Sequence, residues 1–186
     1  EWPEVTVQLP IYNERYVIGR LIDAVVQFDY PKDKLKIQVL DDSNDETVEI
    51  VAEKVAASRA QGIDIEQVRR PERVGFKAGA LQYGMEQTDS PFIAIFDADF
   101  VPEPHFLKRT VPHFSDPEVG VVQSRWEHIN ESYSLLTRMQ AFALDAHFSI
   151  DQGGRNSAGH FINFNGTAGI WRRETITEAG GWQADT

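Results

Sequence analysis

The chain of 186 residues has no cysteine. Disulfides, thiolate metal sites and thiol nucleophiles are therefore excluded, while the compartment stays open. Long apolar runs are missing too. The longest aliphatic or aromatic stretch, Phe92 to Phe96, falls far short of the ~20 residues a membrane-spanning helix needs, and no signal-peptide pattern opens the chain. Positive charge is scarce: 18 Lys+Arg stand against 29 Asp+Glu, a formal net charge of −11, with no Lys/Arg run. Such a surface repels a phosphate backbone, so no nucleic-acid partner is expected. An anionic ligand has to be met locally, by a few placed cations or a metal. Repeats and low-complexity linkers are absent as well. What is present, 41% hydrophobic and 25% charged residues, fits one ordinary globular domain whose character changes after about residue 125. Glu1 and Thr186 both read as cut ends, so a piece of a longer protein is expected, with a membrane-embedded parent left open.

The first two-thirds alternates strand and helix signals. Val5 to Leu9, Lys36 to Leu40, Asp64 to Arg69, Phe92 to Phe96 and Val119 to Ser124 read as strands. Between them, helices are expected over Glu14 to Phe28, Asp45 to Gln61, Lys77 to Gln87 and Glu103 to Phe114. Val17, Leu21, Ala24, Val25 and Phe28 form the apolar face of the first, and Val48, Val51, Ala52 and Val55 that of the second. Strands separated by helices predict an α/β fold with a mostly parallel central sheet flanked by helices. A further helix is expected over Tyr133 to Ile150, stopped by Gly153 and Gly154.

In a parallel sheet the ligand crevice lies beyond the carboxyl ends of the strands. Pro10, Tyr12, Asn13 and Glu14 follow the first strand; Asp41, Asp42, Ser43 and Asp45 follow the second; Asp97 and Asp99 follow Phe92 to Phe96. Asp45 alone reads as a helix N-cap, but three acidic strand ends together point to a site. Side chains alternate along a strand, so Asp97 and Asp99 share a side, with small Ala98 leaving room between them. Two close carboxylates suit a hard divalent cation, Mg²⁺ or Mn²⁺, that also takes phosphate oxygens. Arg73 to Leu81 opens a helix with two glycines and a lysine. Lys77 is placed to neutralise a phosphate, and Gly75 lets a backbone approach closely; the competing reading is a loop whose Gly79 simply packs against a neighbour. Its glycine spacing matches neither the Walker loop nor the dinucleotide fingerprint. The five histidines show no paired metal-ligand spacing, and Asn130-Glu131-Ser132 and Asn165-Gly166-Thr167 match the N-glycosylation acceptor pattern.

Six motifs stand in order: Pro10-Ile11-Tyr12-Asn13-Glu14, Asp41-Asp42-Ser43, Gly75 to Leu81, Asp97-Ala98-Asp99, Val122-Gln123-Ser124-Arg125-Trp126 and Phe164 to Gly169. In this arrangement the chain resembles an inverting family 2 glycosyltransferase of the cellulose synthase-like type, and Phe106 to Phe114 with Leu135 to Gln140 are similar to the β-mannan and glucomannan synthase-like members. The resemblance implies a GT-A, Rossmann-like nucleotide-sugar-binding fold. Residues 1–125 would form the nucleotide-sugar half and 126–186 the acceptor-side half. Pro10, Tyr12 and Glu14 would line the base and ribose pocket, and Asp42 would meet the uracil or guanine edge. Lys77 would lie near the diphosphate, and Asp97 and Asp99 would hold it together with Mg²⁺ or Mn²⁺. Asn165, Gly166 and Thr167 would border the acceptor sugar, where Trp126 either stacks or is simply buried.

The resemblance implies a hexose donor, UDP-glucose or GDP-mannose, and a growing β-linked polysaccharide or other glycan acceptor. It also implies a catalytic domain facing the cytoplasm and joined to the membrane through other parts of the parent. A direct displacement needs a carboxylate base. In the family this is the aspartate of a Thr-Glu-Asp or Val-Glu-Asp triplet soon after a Gly-Gly-Trp segment. Gly180-Gly181-Trp182 is present, and the base is expected beyond Thr186; Asp185 does not match the motif. On this reading the 186 residues bind donor better than they turn it over. Two alternatives remain: a sugar-1-phosphate nucleotidyltransferase, whose glycine-rich loop after the first strand is replaced here by Pro10 to Glu14, and a non-catalytic nucleotide- or glycan-binding module.

Overall fold

The computed structural model describes residues 1–124 and 166–183. In chain order the elements are β1 (Val5–Ile11), α1 (Ile18–Val25), β2 (Leu35–Asp41), α2 (Thr47–Ala60), β3 (Ile65–Val68), α3 (Phe76–Met85), β4 (Phe92–Ile95), α4 (Phe106–Thr110), β5 (Val121–Gln123), β6 (Gly169–Arg172) and α5 (Arg173–Glu178). Among the described residues, Glu1–Val122 and the segment from Gly166 onward form one compact unit. The helix expected over Tyr133 to Ile150, Trp126, Asn165 and Asp185 lie outside the described residues.

The strands form one sheet in the order β3-β2-β1-β4-β6-β5. β1 pairs in parallel with β2 and β4, and β2 in parallel with β3, while β6 runs antiparallel to β4. With a strand on either side, all seven residues of β1 are buried, which is why it reads as a short unbroken β-branched run. α3 packs on the face carrying Gln8 and Gln38. A Cβ on Gly84 would come within 2.6 Å of Leu40 and 2.7 Å of the Gln8 amide, so that helix approaches the sheet as closely as it does only because a glycine faces it.

Three helices differ from the sequence pattern, each for a local reason. α1 is shorter than Glu14 to Phe28 and buries Ile18, Leu21, Ile22 and Val25. Phe28 leaves the helix but stays buried, its ring 5.8 Å from Phe96 and 6.3 Å from Phe106. On α2 the buried positions are Thr47, Val51, Val55 and Ser58, and Ala52 faces solvent; two small hydroxyl residues extend the stripe that Val48 and Ala52 were expected to fill. The helix expected over Glu103 to Phe114 is broken, with α4 ending at Thr110 and Val111–Ser115 tightening into a 3-10 turn. Pro112 has no N–H to bond the carbonyl one turn back. β6 and α5 have no counterpart in the sequence reading.

The chain steps outward from β1 to β2 and β3, then returns to the other side of β1 with β4. This reversal is the switch point where α/β sheets open a crevice. The pairing of β1 with β4 ends at Gln8 and Ile95, whereas its pairing with β2 continues to Ile11 and Asp41. Past Gln8, the ends of β1 and β4 part. Among the described residues no helix is long and apolar enough to cross a membrane.

Candidate functional site

A cavity of about 390 Å³ opens at the switch point. Pro10, Ile11, Tyr12 and Glu14 line it from the end of β1, Asp42 from β2, and Asp97, Ala98 and Asp99 from β4; Arg73, Lys77 and Ala80 come from α3 and the loop before it. Thus Pro10, Tyr12, Glu14, Asp42, Lys77, Asp97 and Asp99, drawn from four places in the sequence, share one wall-to-wall space. Gly166 and Thr167 are not in the lining. They stand behind it: Lys77 Nζ donates to the Gly166 carbonyl at 2.8 Å, and the Asp97 backbone N–H donates to Thr167 Oγ1 at 2.7 Å.

The β2 end is tightly internalised. The Asp41 side chain is fully buried, accepts from the Ser43 N–H at 2.9 Å and Gln67 Nε2 at 2.7 Å, and lies 3.4 Å from Arg69 Nη1. Asp41 therefore faces away from the cavity that Asp42 lines. Asp42 is gripped by both arms of Arg70, Nε at 2.8 Å and Nη2 at 2.6 Å, and these two side chains are only 8% and 7% exposed. The same guanidinium donates to the carbonyls of Val74 at 2.6 Å and Phe76 at 2.7 Å. One buried fork thus ties the β2 end to the loop that delivers Arg73 and Lys77. The sequence reading missed Arg70. A buried carboxylate needs a fixed partner, but nothing in the spacing from Asp42 to Arg70 names which arginine supplies it.

That loop is built on unusual backbone. Gly75 has φ +70°, and Phe76 after it has φ 45°. A Cβ on Gly79 would collide with the Val74 carbonyl and come within 2.5 Å of Arg70 Nη1, so the packing reading of Gly79 holds. Asn13 at φ 56° and Ala168 at φ 55° complete the non-glycine residues with positive φ among the described residues. All three lie on segments that carry or back the cavity, as strained residues at sites commonly do. Asn13 and Asn44 exchange hydrogen bonds, Nδ2 to Oδ1 and N–H to Oδ1, both at 3.0 Å, which ties the β1 end to the β2 end.

Asp45 is not part of the cavity. The Thr47 hydroxyl and N–H hold its carboxyl below the usual carboxylate range, and the N–H donates to Oδ1 at 2.9 Å; it opens α2 as a cap does.

The β4 end is different. Lys77 Nζ donates to Asp97 Oδ1, Asp99 is exposed, and buried Ala98 separates them. Among the described residues no three or more His, Cys, Asp or Glu cluster to enclose a metal. Two carboxylates that line one cavity offer oxygen donors alone. They fit a hard cation that takes one or two carboxylates and completes its shell with water and diphosphate oxygens. This donor set excludes a closed structural metal site.

A family model described as Glycosyl transferase family 2 matches residues 6–177. The chain belongs to glycosyl transferase family 2. Probable glucomannan 4-beta-mannosyltransferase 7 of Oryza sativa subsp. japonica is 48% identical over all of this chain, which covers 33% of that relative. Glucomannan 4-beta-mannosyltransferase 2 of Arabidopsis thaliana is 46% identical, again over the whole chain and 36% of the relative. The chain thus spans about a third of the length of the curated relatives it matches here. Among solved structures, the mannosyltransferase PcManGT from Pyrobaculum calidifontis, in complex with GDP-Man and Mn²⁺, superposes with a TM-score of 0.79 at 27% identity, over all of this chain and 49% of the other. The fold is the GT-A type of the family 2, cellulose synthase-like glycosyltransferases. This membership separates the chain from the nucleotidyltransferases.

Proposed function

We propose that this domain transfers mannose from GDP-mannose to a β-linked glycan acceptor, with inversion at the anomeric carbon, using Mg²⁺ or Mn²⁺ at Asp97 and Asp99. The observation that carries the reading is the layout of the cavity. Asp42 follows β2 and Asp97 follows β4, and β1 lies between those strands. Two strand spacings, about 9.6 Å, therefore separate Asp42 from Asp97, which Lys77 meets, and Tyr12, after β1, stands between them. That is the reach from a base edge to the terminal phosphate of a nucleoside diphosphate. The choice of GDP-mannose over UDP-glucose is supported by the names of the relatives and by the GDP-Man of the superposed mannosyltransferase.

In this reading Tyr12, Pro10 and Glu14 hold base and ribose, and Asp42, kept rigid by Arg70, accepts from the base edge. Lys77 neutralises a diphosphate oxygen, while Asp97 and Asp99 hold the cation. The bound cation supplies charge neutralisation for the leaving diphosphate. The acceptor hydroxyl oxygen bonds to the anomeric carbon, the bond from that carbon to the β-phosphate oxygen breaks, and its electron pair leaves with GDP. The hydroxyl proton passes to a carboxylate base, a role we give to none of the cavity residues. Thr167 and Gly166 act here by positioning Asp97 and Lys77. The glycan acceptor, the cytoplasmic orientation and the link to a membrane belong to the parent protein on this reading.

Calorimetric titration of GDP and UDP, with and without Mn²⁺, tests it. Mn²⁺ is expected to strengthen GDP binding, and Asp99→Ala to abolish that strengthening with the melting temperature unchanged. Absence of nucleotide binding overturns the donor assignment; a full Mn²⁺ effect in Asp99→Ala overturns the metal assignment.

A further inference from the structure

Arg73 is the cavity cation for which neither the sequence motifs nor the reaction above provides a task. Its guanidinium lies 3.6 Å from the centroid of the Tyr12 ring and 5.0 Å from that of Phe76, and the side chain stays 37% exposed. Its Nε stands 3.8 Å from Asp42 Oδ2, too far for a hydrogen bond. Asp42 does not need it, since Arg70 already engages both carboxylate oxygens. A stacked guanidinium keeps its N–H donors in its own plane. The wall near β2 therefore sets a row of donors, with no hydrogen-bond acceptor among the described residues, beside a fixed carboxylate acceptor.

We propose that Arg73 is a specificity-determining residue that selects guanine. The base it fits has acceptors next to donors: O6 and N7 for the guanidinium, and the adjoining N1–H and N2–H₂ for Asp42. Uracil offers one acceptor and one donor to the same pair. Adenine presents its N6–H₂ where guanine has O6 and so places donor against donor. The order of preference is guanine, then uracil, then adenine. Lys77 and the two β4 aspartates, two strands away, meet the diphosphate common to all three. This inference rests on the nucleotide-sugar reading of the cavity and deepens it.

The test compares GDP, UDP, ADP and 7-deaza-GDP, which lacks the N7 acceptor, on the 186-residue chain with Mn²⁺ present. The four ligands share the diphosphate, so its contacts cancel in ratios of Kd. The wild-type chain is expected to bind GDP tightest and 7-deaza-GDP more weakly. In Arg73→Ala the GDP-over-UDP ratio falls by roughly tenfold, the scale of one bidentate arginine contact to guanine, and the GDP-over-7-deaza-GDP ratio falls to one. Arg73→Lys keeps the charge and loses the fork, and is expected to lose the same discrimination; it serves where the alanine variant fails to fold. Equal weakening of all four ligands makes Arg73 a phosphate contact and overturns the proposal, as does an unchanged ratio. Absence of GDP binding in the wild-type chain overturns the nucleotide-sugar reading itself.

Discussion

The ends of β2 and β4 carry the same chemistry in sequence, two aspartates each, and end in opposite states. Asp41 and Asp42 face Arg69 and Arg70, two carboxylates against two guanidiniums, and both acids are buried against their partners. At the β4 end Asp97 meets one ammonium, Lys77, Asp99 is exposed, and both line the cavity. The first arrangement is self-neutralised and acts as a hinge pin for the loop before α3. The second retains unmatched negative charge, which is what a cation requires. An acidic strand end is a cation site only where the fold leaves its charge uncompensated; a compensated one, like Asp42, still offers a fixed acceptor.

The largest effect is expected from breaking the β2 side. Arg70→Met leaves Asp42 buried without its partner and is expected to cost about 3–5 kcal/mol, the scale for removing one member of a buried pair, read as a lowered urea midpoint. Retained stability would place the loop's anchor elsewhere. Gly79→Ala attacks the same latch from above, forcing a Cβ onto the Val74 carbonyl and Arg70; overpacking of this kind costs about 1–3 kcal/mol in the same measurement.

Lys77→Met acts on the β4 side and carries an opposite sign for two ligands. With its tethered ammonium gone, Asp97 is free, and Mn²⁺ alone is expected to bind roughly two- to fivefold tighter, the worth of a partly exposed ion pair, by Mn²⁺ spin-resonance titration. GDP binding weakens in the same variant. Tightening of neither ligand would show that Lys77 does not compete with the cation for Asp97.

The smallest effect concerns Asp45, the acidic residue that joins neither group. Its carboxyl is held below its ordinary value of 3.8, so its contribution to stability is full above that value and is lost as pH falls through the lowered one. The stability gap between wild type and Asp45→Asn is therefore expected to stay constant from about pH 8 to pH 5 and to narrow as pH falls below the ordinary value; a gap that widens on acidification contradicts the assignment.

Much of this contrast was legible before any coordinates. The β-branched runs and the aspartates after them follow from period and position, and Pro10, Tyr12, Glu14, Lys77, Asp97 and Asp99 all reach the cavity. The misreadings have physical causes. Ala52 fits a helical stripe by hydropathy, but burial on α2 follows the four-residue spacing from Thr47 to Val55 and closes on Ser58. Pro112 broke a helix that apolar periodicity extended past it. β6 is a glycine-led strand of four residues, too short to show a period, and it pairs with β4 across 74 or more residues of chain.

The sequence by itself determined which residue types stand at the strand ends and therefore that acid, amide and lysine meet at one rim, because side-chain period and strand polarity are local properties. Only the tertiary structure decided which of those acids are spent. Arg69 and Arg70 lie 28 positions from the aspartates they meet, and Gly166 lies 89 from Lys77. Charge compensation depends on distance in space, and distance in space is set by sheet order, which local pattern does not encode.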